Sequence, residues 1–291
     1  MAEYLMGIDA GTGSVRVALF DFRGQNRAYA VAEYGTTYPK NGWAEQSDYE
    51  WFEALKKAIP ECIKKAGIAA DNIAAITCDA TTNTLVYLDE NDTSVRPPIL
   101  WMDVRATEEA SFIDTIREEY DATKFYKPGF RADTMVPKCM WVKKNEPENW
   151  AKTKTIMEFE DWLNWKLTGR KTVSMSVAAF RWNYDDKNGG YPVDFYNAVG
   201  LDDVVDKFPE PVLKVGEVVG NISAEAAEIF GLSKKTVVVE GTADCNACMF
   251  GVGGKTKRYD INWWNIYLSV RSFRRRIPCR RCKRNISKLY V

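Results

Sequence analysis

The first 34 residues place three strand-like runs one after another, with only short turns between them. Runs 4–8, 15–20 and 28–34 are rich in β-branched and aromatic residues, and Gly, Asp and Asn bound them. Because turns this short cannot hold a crossover helix, we predict that the three strands are antiparallel neighbours. A dinucleotide-binding fold is excluded, since a helix would have to follow its glycine-rich turn and Arg16 stands where its third glycine is required.

Strand and helix patterns alternate along the rest of the chain up to about residue 250. A capping box, Ser47 with Glu50, predicts the start of a helix that ends at Gly67. This order of elements predicts an α/β fold. Further helices are expected near residues 106–120, 160–167 and 223–230 and after residue 244, and further strands at residues 73–78, 85–88 and 237–240.

Histidine is absent from the 291 residues. Ser-His-Asp catalysis, Cys-His catalysis and His-ligated metal sites are therefore excluded, and the chemistry must use carboxylates, hydroxyls, lysine or arginine. The chain shows neither a signal-peptide pattern at its start nor an apolar run of membrane-spanning length. Together with seven cysteines, which we interpret as reduced thiols, this predicts a cytoplasmic protein with no membrane partner.

The net charge of zero hides two compositions that join near Gly253. Residues 255–291 contain twelve Lys or Arg against one acid, Asp260, a net charge of +11, so residues 1–254 carry a net charge of −11. This is the sharpest boundary in the sequence, and we predict a domain at residues 1–253 and a separate basic tail at residues 254–291.

The turn from Asp9 to Ser14 has the composition of an anion-binding loop. Its glycines, Gly11 and Gly13, let the backbone approach an anion closely, and successive amides together with the Thr12 hydroxyl can hold phosphate oxygens. Asp9, at the end of the first strand, can hold Mg²⁺ through water. The alternative interpretation is a plain hairpin turn, because glycine-rich hairpins are common.

Four segments in order resemble the FGGY family of carbohydrate kinases, which belongs to the superfamily of hexokinase and actin. The resemblance covers residues 4–253, which correspond to the N-terminal domain of that family. The segments are 7–16 (GIDAGTGSVR), 99–105 (ILWMDVR), 161–169 (DWLNWKLTG) and 241–253 (GTADCNACMFGVG).

The resemblance implies a ribonuclease H-like fold of the actin and hexokinase type, with a mixed sheet flanked by helices. It also implies ATP-dependent phosphorylation of a sugar or polyol, with ATP as co-substrate and Mg²⁺ as cofactor. By position, Asp244 looks like the catalytic base that accepts the proton of the attacking hydroxyl. A carboxylate just past a buried strand, near a helix start, suits that role; the alternative for Asp244 is a helix N-cap.

Asp9 looks like the Mg²⁺-associated carboxylate, and the phosphate grip is assigned to Gly11, Thr12, Gly13 and Arg16. Phosphoryl transfer needs an aligned hydroxyl, a metal and fixed dipoles, so a chain without histidine can perform it.

Candidate substrate contacts follow from the same resemblance. Thr82 and Asn83 fall where xylulokinase-like members place a Met-His pair, and segment 79–83 is closer to the style of ribulokinase-like members. Arg181 falls where ribulokinase-like members have a substrate-contacting lysine, and Asp103 lies in the family's Trp-containing segment. A ketopentose or a related compound is the expected substrate. The alternatives are a polar turn for residues 81–83 and a surface ion pair for Arg181.

Two other motifs have weaker support. Cys245 with Cys248 and Cys279 with Cys282 form two CxxC pairs, but thirty residues separate them, which is longer than the usual zinc spacing. The first pair lies on the helix predicted after Asp244. Residues 251–256 end like a phosphate-binding P-loop, but Met249 stands where its first glycine is required.

In the family, a second domain would follow residue 253 and bind the adenosine of ATP. We hypothesise that the basic tail is out-of-frame translation, which the encoding DNA would test; the alternatives are a solvated basic extension or a nucleic-acid-binding arm. We expect weak sugar binding and very low kinase activity from this chain. A non-catalytic sugar-binding remnant and a zinc- or nucleic-acid-binding protein acting through the tail are the competing functions. No nucleic-acid partner is expected, and a homodimer is left open.

Overall fold

The computed structural model describes residues 3–124 and 129–251. Predictions about the basic tail, its origin, the pair Cys279 and Cys282, and the lysine and threonine of the P-loop-like run lie outside the described residues.

Ten strands lie within the described residues, and six of them form one mixed sheet in the order β3-β2-β1-β4-β10-β9. β1, β2 and β3 are antiparallel neighbours, which confirms the prediction from their short turns, whereas β1, β4 and β10 are parallel. β5 pairs with β6, and β7 pairs with β8. The strands are β1 (Tyr4–Ala10), β2 (Ser14–Asp21), β3 (Asn26–Glu33), β4 (Ile73–Ala80), β5 (Leu85–Leu88), β6 (Thr155–Glu158), β7 (Val173–Ser174), β8 (Val212–Leu213), β9 (Val218–Asn221) and β10 (Val237–Ala243).

Nine α-helices lie in the same described part of the chain. The predicted helices correspond to α1, α2, α5, α8 and α9, although α2 is shorter than expected and a 3₁₀ turn follows it. α3, α4, α6 and α7 had no clear apolar period and were not predicted. The helices are α1 (Asp48–Ala66), α2 (Thr107–Ile116), α3 (Met135–Asn145), α4 (Pro147–Lys152), α5 (Phe159–Thr168), α6 (Met175–Arg181), α7 (Val193–Ala198), α8 (Ala224–Phe230) and α9 (Asp244–Gly251).

Helix α1 begins after Ser47, but the predicted capping box is wrong. The Ser47 side chain makes no capping hydrogen bond, and Oε2 of Glu50 accepts the Gly35 N–H at 3.0 Å. The Glu50 carboxylate therefore binds the backbone N–H of Gly35, which follows β3, and not the backbone N–H of Ser47 as a capping box requires. The helix ends as predicted, with Gly67 in the left-handed conformation at φ 65°.

One face of the large sheet packs against α1, α5 and α8. Trp51 of α1 stacks on Phe159 of α5, and Phe52 of α1 meets Phe230 of α8 edge to face. A second apolar cluster joins β5 and β6 to α2, α3 and α7, and it includes Leu85 and Ile99. Residues 81–84 directly precede Leu85, and residues 100–103 directly follow Ile99. Packing of Leu85 and Ile99 in this cluster therefore anchors both segments.

The predicted mixed sheet flanked by helices is confirmed. No helix in the described part of the chain has both the length and the apolar character to cross a membrane.

Candidate active site

Three aspartates lie at the carboxyl ends of three adjacent parallel strands. In the strand register Asp9 of β1 pairs with Asp79 of β4, and Asp79 pairs with Thr242 of β10, two residues before Asp244. Because the strands are parallel, their carboxyl ends meet at one edge of the sheet, which is where ligands bind in open α/β sheets. We call Asp9, Asp79 and Asp244 the aspartate edge.

The carboxylates of the aspartate edge repel one another. Burial, followed by the charges of Asp9 and Asp244, raises the pKa of Asp79 to about 7. Burial and the charge of Asp9 also raise the pKa of Asp244, although the Cys245 amide and the charge of Arg181 act against this rise. The strand register, which pairs Asp9 with Asp79 and Asp79 with Thr242, brings Asp9 and Asp244 to the same edge of the sheet.

Asp244 is the first residue of α9. Its Oδ1 accepts the N–H of the adjacent Cys245 at 2.6 Å, whereas an N-cap side chain accepts from an N–H two or three residues further on. Asp244 thus makes this local hydrogen bond and is also a member of the aspartate edge.

Side chains from outside the turn between β1 and β2 hold it in place by donating hydrogen bonds to its carbonyl groups. The Tyr34 hydroxyl donates to the Gly11 carbonyl at 2.6 Å, and the Gln46 amide donates to the Thr12 carbonyl at 2.5 Å. The Gly11 N–H closes the hairpin by donating to the Ser14 carbonyl. Within the described residues, the amides of Thr12 and Gly13 have no acceptor, so they are available to bind an anion.

Arg16 lies beside this turn. Its Nη1 donates to Oδ2 of Asp9 at 2.8 Å, and its side chain is 56% exposed. An exposed ion pair of this kind is weak, so the guanidinium can exchange its partner for a phosphate at little cost.

Trp101 connects the turn to a second segment of the site. Its indole Nε1 donates to the Thr12 hydroxyl at 3.0 Å, and the residue is 40% exposed despite its size. The exposed indole therefore presents an apolar surface beside Thr12.

Thr82 and Arg181 meet at the end of β4. The Arg181 Nε donates to the Thr82 hydroxyl at 3.3 Å, and the positive charge of Arg181 lowers the pKa of Asp244. Arg181 is only 7% exposed, so the alternative of a surface ion pair is wrong. This pair and Asp244 therefore occupy one region.

Asn83 is 1% exposed and has φ 59°, in the left-handed region. Its Oδ1 is buried and has no hydrogen-bond partner in the described part of the chain. Such a buried orphan oxygen is unusual, because buried polar side chains are normally paired.

The predicted substrate contact from Asp103 does not fit the structure. The residue is fully buried, and its Oδ1 accepts the N–H and the Nε–H of Arg105, both at 2.9 Å. Its Oδ2 accepts from the Ala44 amide at 2.6 Å and from Arg105 Nη2 at 2.7 Å. Four protein donors occupy the carboxylate, so Asp103 stabilises its own loop and is not available to bind a substrate.

Asp79, Trp101 and Lys138 belong to this region but were not among the predicted site residues. Asp79 and Trp101 lie in segments 79–83 and 99–105, which the family resemblance had already identified, so the sequence could have indicated both residues. Lys138, on the unpredicted helix α3, had no local signal and contacts the site only through the fold.

The oxygen-rich aspartate edge suits a hard divalent cation. Within the described residues, no group of three or more His, Cys, Asp or Glu side chains converges tightly enough to hold a metal directly. This geometry fits a cation that Asp9 would hold through water better than a cage of protein ligands.

Cys245 and Cys248 lie on α9, which is where the sequence placed them. Cys245 is half-buried and Cys248 exposed, and burial raises the pKa of both thiols, so neither is an activated thiolate.

Residues 4–251 match the model of the FGGY family of carbohydrate kinases, N-terminal domain. A xylulose kinase from Staphylococcus epidermidis is 31% identical over 247 residues, which are 84% of this chain and 48% of that protein. Ribulokinase 2 from Staphylococcus saprophyticus is 30% identical over 281 residues, 87% of this chain and 51% of that protein. The chain thus spans about half the length of the relatives it matches.

Among solved structures, the xylulose kinase from Rhodospirillum rubrum superposes with a TM-score of 0.76 at 24% identity. The match covers 87% of this chain and 51% of that protein. This likeness shows the shared fold and confirms the actin- and hexokinase-type architecture.

Proposed function

The chain belongs to the FGGY family of carbohydrate kinases, and on this premise we propose that the aspartate edge and its neighbours form the acceptor and phosphate sides of an ATP-dependent sugar kinase site. The observation that carries the proposal is the meeting of Asp9, Asp79 and Asp244 at the ends of three adjacent strands. We assign residues 1–253 to the sugar-binding domain.

Asp244 is the general base. It accepts the proton of the acceptor hydroxyl while that oxygen attacks the terminal phosphorus of ATP and the bond to the leaving ADP breaks. Burial supports this role, because it raises the pKa of Asp244 and makes its carboxylate a stronger base. The charge of Arg181 opposes this rise in pKa and favours the ionised carboxylate.

The turn beside Asp9 binds the phosphate end of ATP. The amides of Thr12 and Gly13 and the Thr12 hydroxyl donate to phosphate oxygens, Gly11 keeps the approach open, and Arg16 adds a positive charge. Mg²⁺, held through water by Asp9, would neutralise the charge of the phosphate oxygens.

Thr82, Asn83 and Arg181 bind the sugar. Hydroxyl, amide and guanidinium groups can pair with sugar hydroxyl groups, and a polar site rejects a sugar that leaves its groups unpaired. The relatives named xylulose kinase and ribulokinase support a ketopentose or a related polyol as the substrate.

The second candidate is sugar binding without catalysis, which the pairing of Arg181 with Thr82 and the unpartnered buried Oδ1 of Asn83 support by themselves. Cytoplasmic location, a homodimer and the separate nature of the basic tail stay predictions.

The test is sugar binding to the 291-residue chain, measured by saturation-transfer NMR with xylulose, ribulose, xylitol and glycerol. We expect binding of at least one pentulose or polyol, in the millimolar range. The variant Asp244→Asn should bind the same sugar within about threefold, because a neutral amide still accepts a hydrogen bond from the hydroxyl.

A coupled assay for ADP release, run with the same sugars, separates the two candidates. Any sugar-dependent release that Asp244→Asn abolishes supports the kinase, whereas binding without release supports the remnant. Absence of binding by all four compounds contradicts both.

A further inference from the structure

Lys138 is the fourth residue of α3 and is fully buried. Its Nζ donates to the Asn83 carbonyl at 2.6 Å and to the Leu100 carbonyl at 2.7 Å. A lysine is almost never buried to this extent unless its ammonium is paired, so these two bonds account for its place in the fold.

The two carbonyl groups belong to the two walls of the candidate site. Asn83 follows Thr82, which binds Arg181, and Leu100 precedes Trp101, which binds Thr12. One ammonium group thus joins the segment at the proposed sugar contacts to the segment at the phosphate turn.

The Asn83 peptide is held through its carbonyl group, which accepts from Lys138 at 2.6 Å. Nearby, burial raises the pKa of Glu158 to about 7, although hydrogen bonding to the Trp182 indole acts against this rise. The indole donates to Glu158 Oε1 at 2.8 Å. The Lys138 ammonium thus fixes the peptide of a residue in the left-handed conformation, φ 59°, which is uncommon outside glycine.

We infer that Lys138 is a positioning residue for sugar binding, which sets the distance between the Thr82–Asn83 turn and the Trp101 segment without touching the sugar. The inference rests on the proposed function. It goes beyond that function because Lys138 lies on α3, which contributes none of the assigned contacts.

Lys207 offers a matched control within the same chain. Its Nζ donates to the Thr153 carbonyl at 3.0 Å and pairs with Asp203 at 3.2 Å, and its side chain is 12% exposed. Lys207 is therefore a second largely buried lysine that donates to a backbone carbonyl, but neither of these two partners belongs to the candidate site.

The experiment compares Lys138→Met with Lys207→Met in the full chain. Hydrogen–deuterium exchange without sugar reports on the peptides that contain residues 81–85 and 99–103, and NMR titration reports the sugar affinity. We expect faster exchange in both peptides and an affinity loss of at least tenfold for Lys138→Met. Lys207→Met should leave both within about twofold of the wild type.

Equal exchange in the two variants, or sugar affinity of Lys138→Met within twofold of the wild type, overturns the inference. If Lys138→Met does not fold, Lys138→Gln replaces it, because glutamine keeps a donor but is too short to reach both carbonyls, and the same outcomes apply. If the wild type binds no sugar, the proposed function is what fails, and the exchange comparison alone decides the role of Lys138.

Discussion

Two clusters of charged side chains in this protein differ in how their charges are paired. The first is the aspartate edge, where like charges face one another and the pKa of Asp79 and of Asp244 is raised. The second, which we call the buried ion-pair network, mixes acids with arginines. Its members are Glu45, Arg96, Asp103, Arg105 and Glu146.

The buried ion-pair network is closed on itself. Arg105 bridges Asp103 and Glu45, and Arg96 bridges Glu45 and Glu146. The Arg105 guanidinium also lies 4.0 Å from the ring centre of Trp43 and 5.0 Å from that of Trp141. Each member pairs with at least one opposite charge inside the protein, so the network stabilises the loop that presents Trp101.

The aspartate edge is arranged in the opposite way. Its positive neighbours, Arg16 and Arg181, only partly offset three carboxylates. A folded chain that brings like charges together loses stability there, and such sites are characteristic of function rather than of support. The difference teaches that pairing, rather than the presence of charged residues, separates a binding site from a structural network.

The largest expected effect is that of Asp103→Asn. An amide NH₂ would replace one oxygen that accepts from two donors, and buried Arg105 would lose the nearer of its two acid partners and keep Glu45. We expect the free energy of unfolding to fall by about 3–5 kcal/mol, measured by urea denaturation of the full chain.

Glu53→Gln is the control, because Glu53 belongs to an exposed pair with Lys56 at 2.8 Å. Its effect should stay below about 1 kcal/mol. If Asp103→Asn were no more destabilising than this control, the network would not be the support that its geometry implies.

A smaller effect of opposite sign is expected for Asp79→Asn. The pKa of Asp79 rises from 3.8 to about 7 on folding, so between these pH values the folded chain holds a proton that the unfolded chain has lost. Stability therefore falls as the pH rises from about 4 to 7. The substitution should remove this loss and raise the free energy of unfolding at pH 8 by about 1–3 kcal/mol.

Thermal denaturation at pH 5 and at pH 8 measures the effect. The control is Asp21→Asn, since hydrogen bonds from the Gln25 and Arg23 amides and from Arg27 lower the pKa of Asp21 and it is already ionised at both pH values. A pH dependence that is the same in Asp79→Asn and the wild type would show that the aspartate edge is not strained by its charges.

Much of this comparison was accessible from the sequence, because it depends on local patterns. Short turns predicted the antiparallel start of the sheet, and the strand patterns predicted that Asp9 and Asp244 lie at strand ends. Asp103 was assigned to the wrong cluster, since only the folded loop brings it to the Ala44 amide. Lys138 gave no signal, because its partners are backbone carbonyls 55 and 38 residues away along the chain.

The smallest effect on stability, and the sharpest on electrostatics, is expected for Arg16→Ala. The side chains of Arg16 and Asp9 are 56% and 39% exposed, so loss of their ion pair should change the free energy of unfolding by less than about 1 kcal/mol. The charge of Arg16 nevertheless lowers the pKa of Asp79, so its removal should raise that pKa above about 7. Carboxyl-carbon NMR titration of Asp79 measures the change.

Arg27→Ala is the matched control, because Arg27 forms a similar exposed pair with Asp21 on the next strand. An Asp79 titration that is the same in Arg16→Ala and Arg27→Ala would mean that Arg16 does not act on the aspartate edge, and its proposed place beside the phosphates would lose its electrostatic basis.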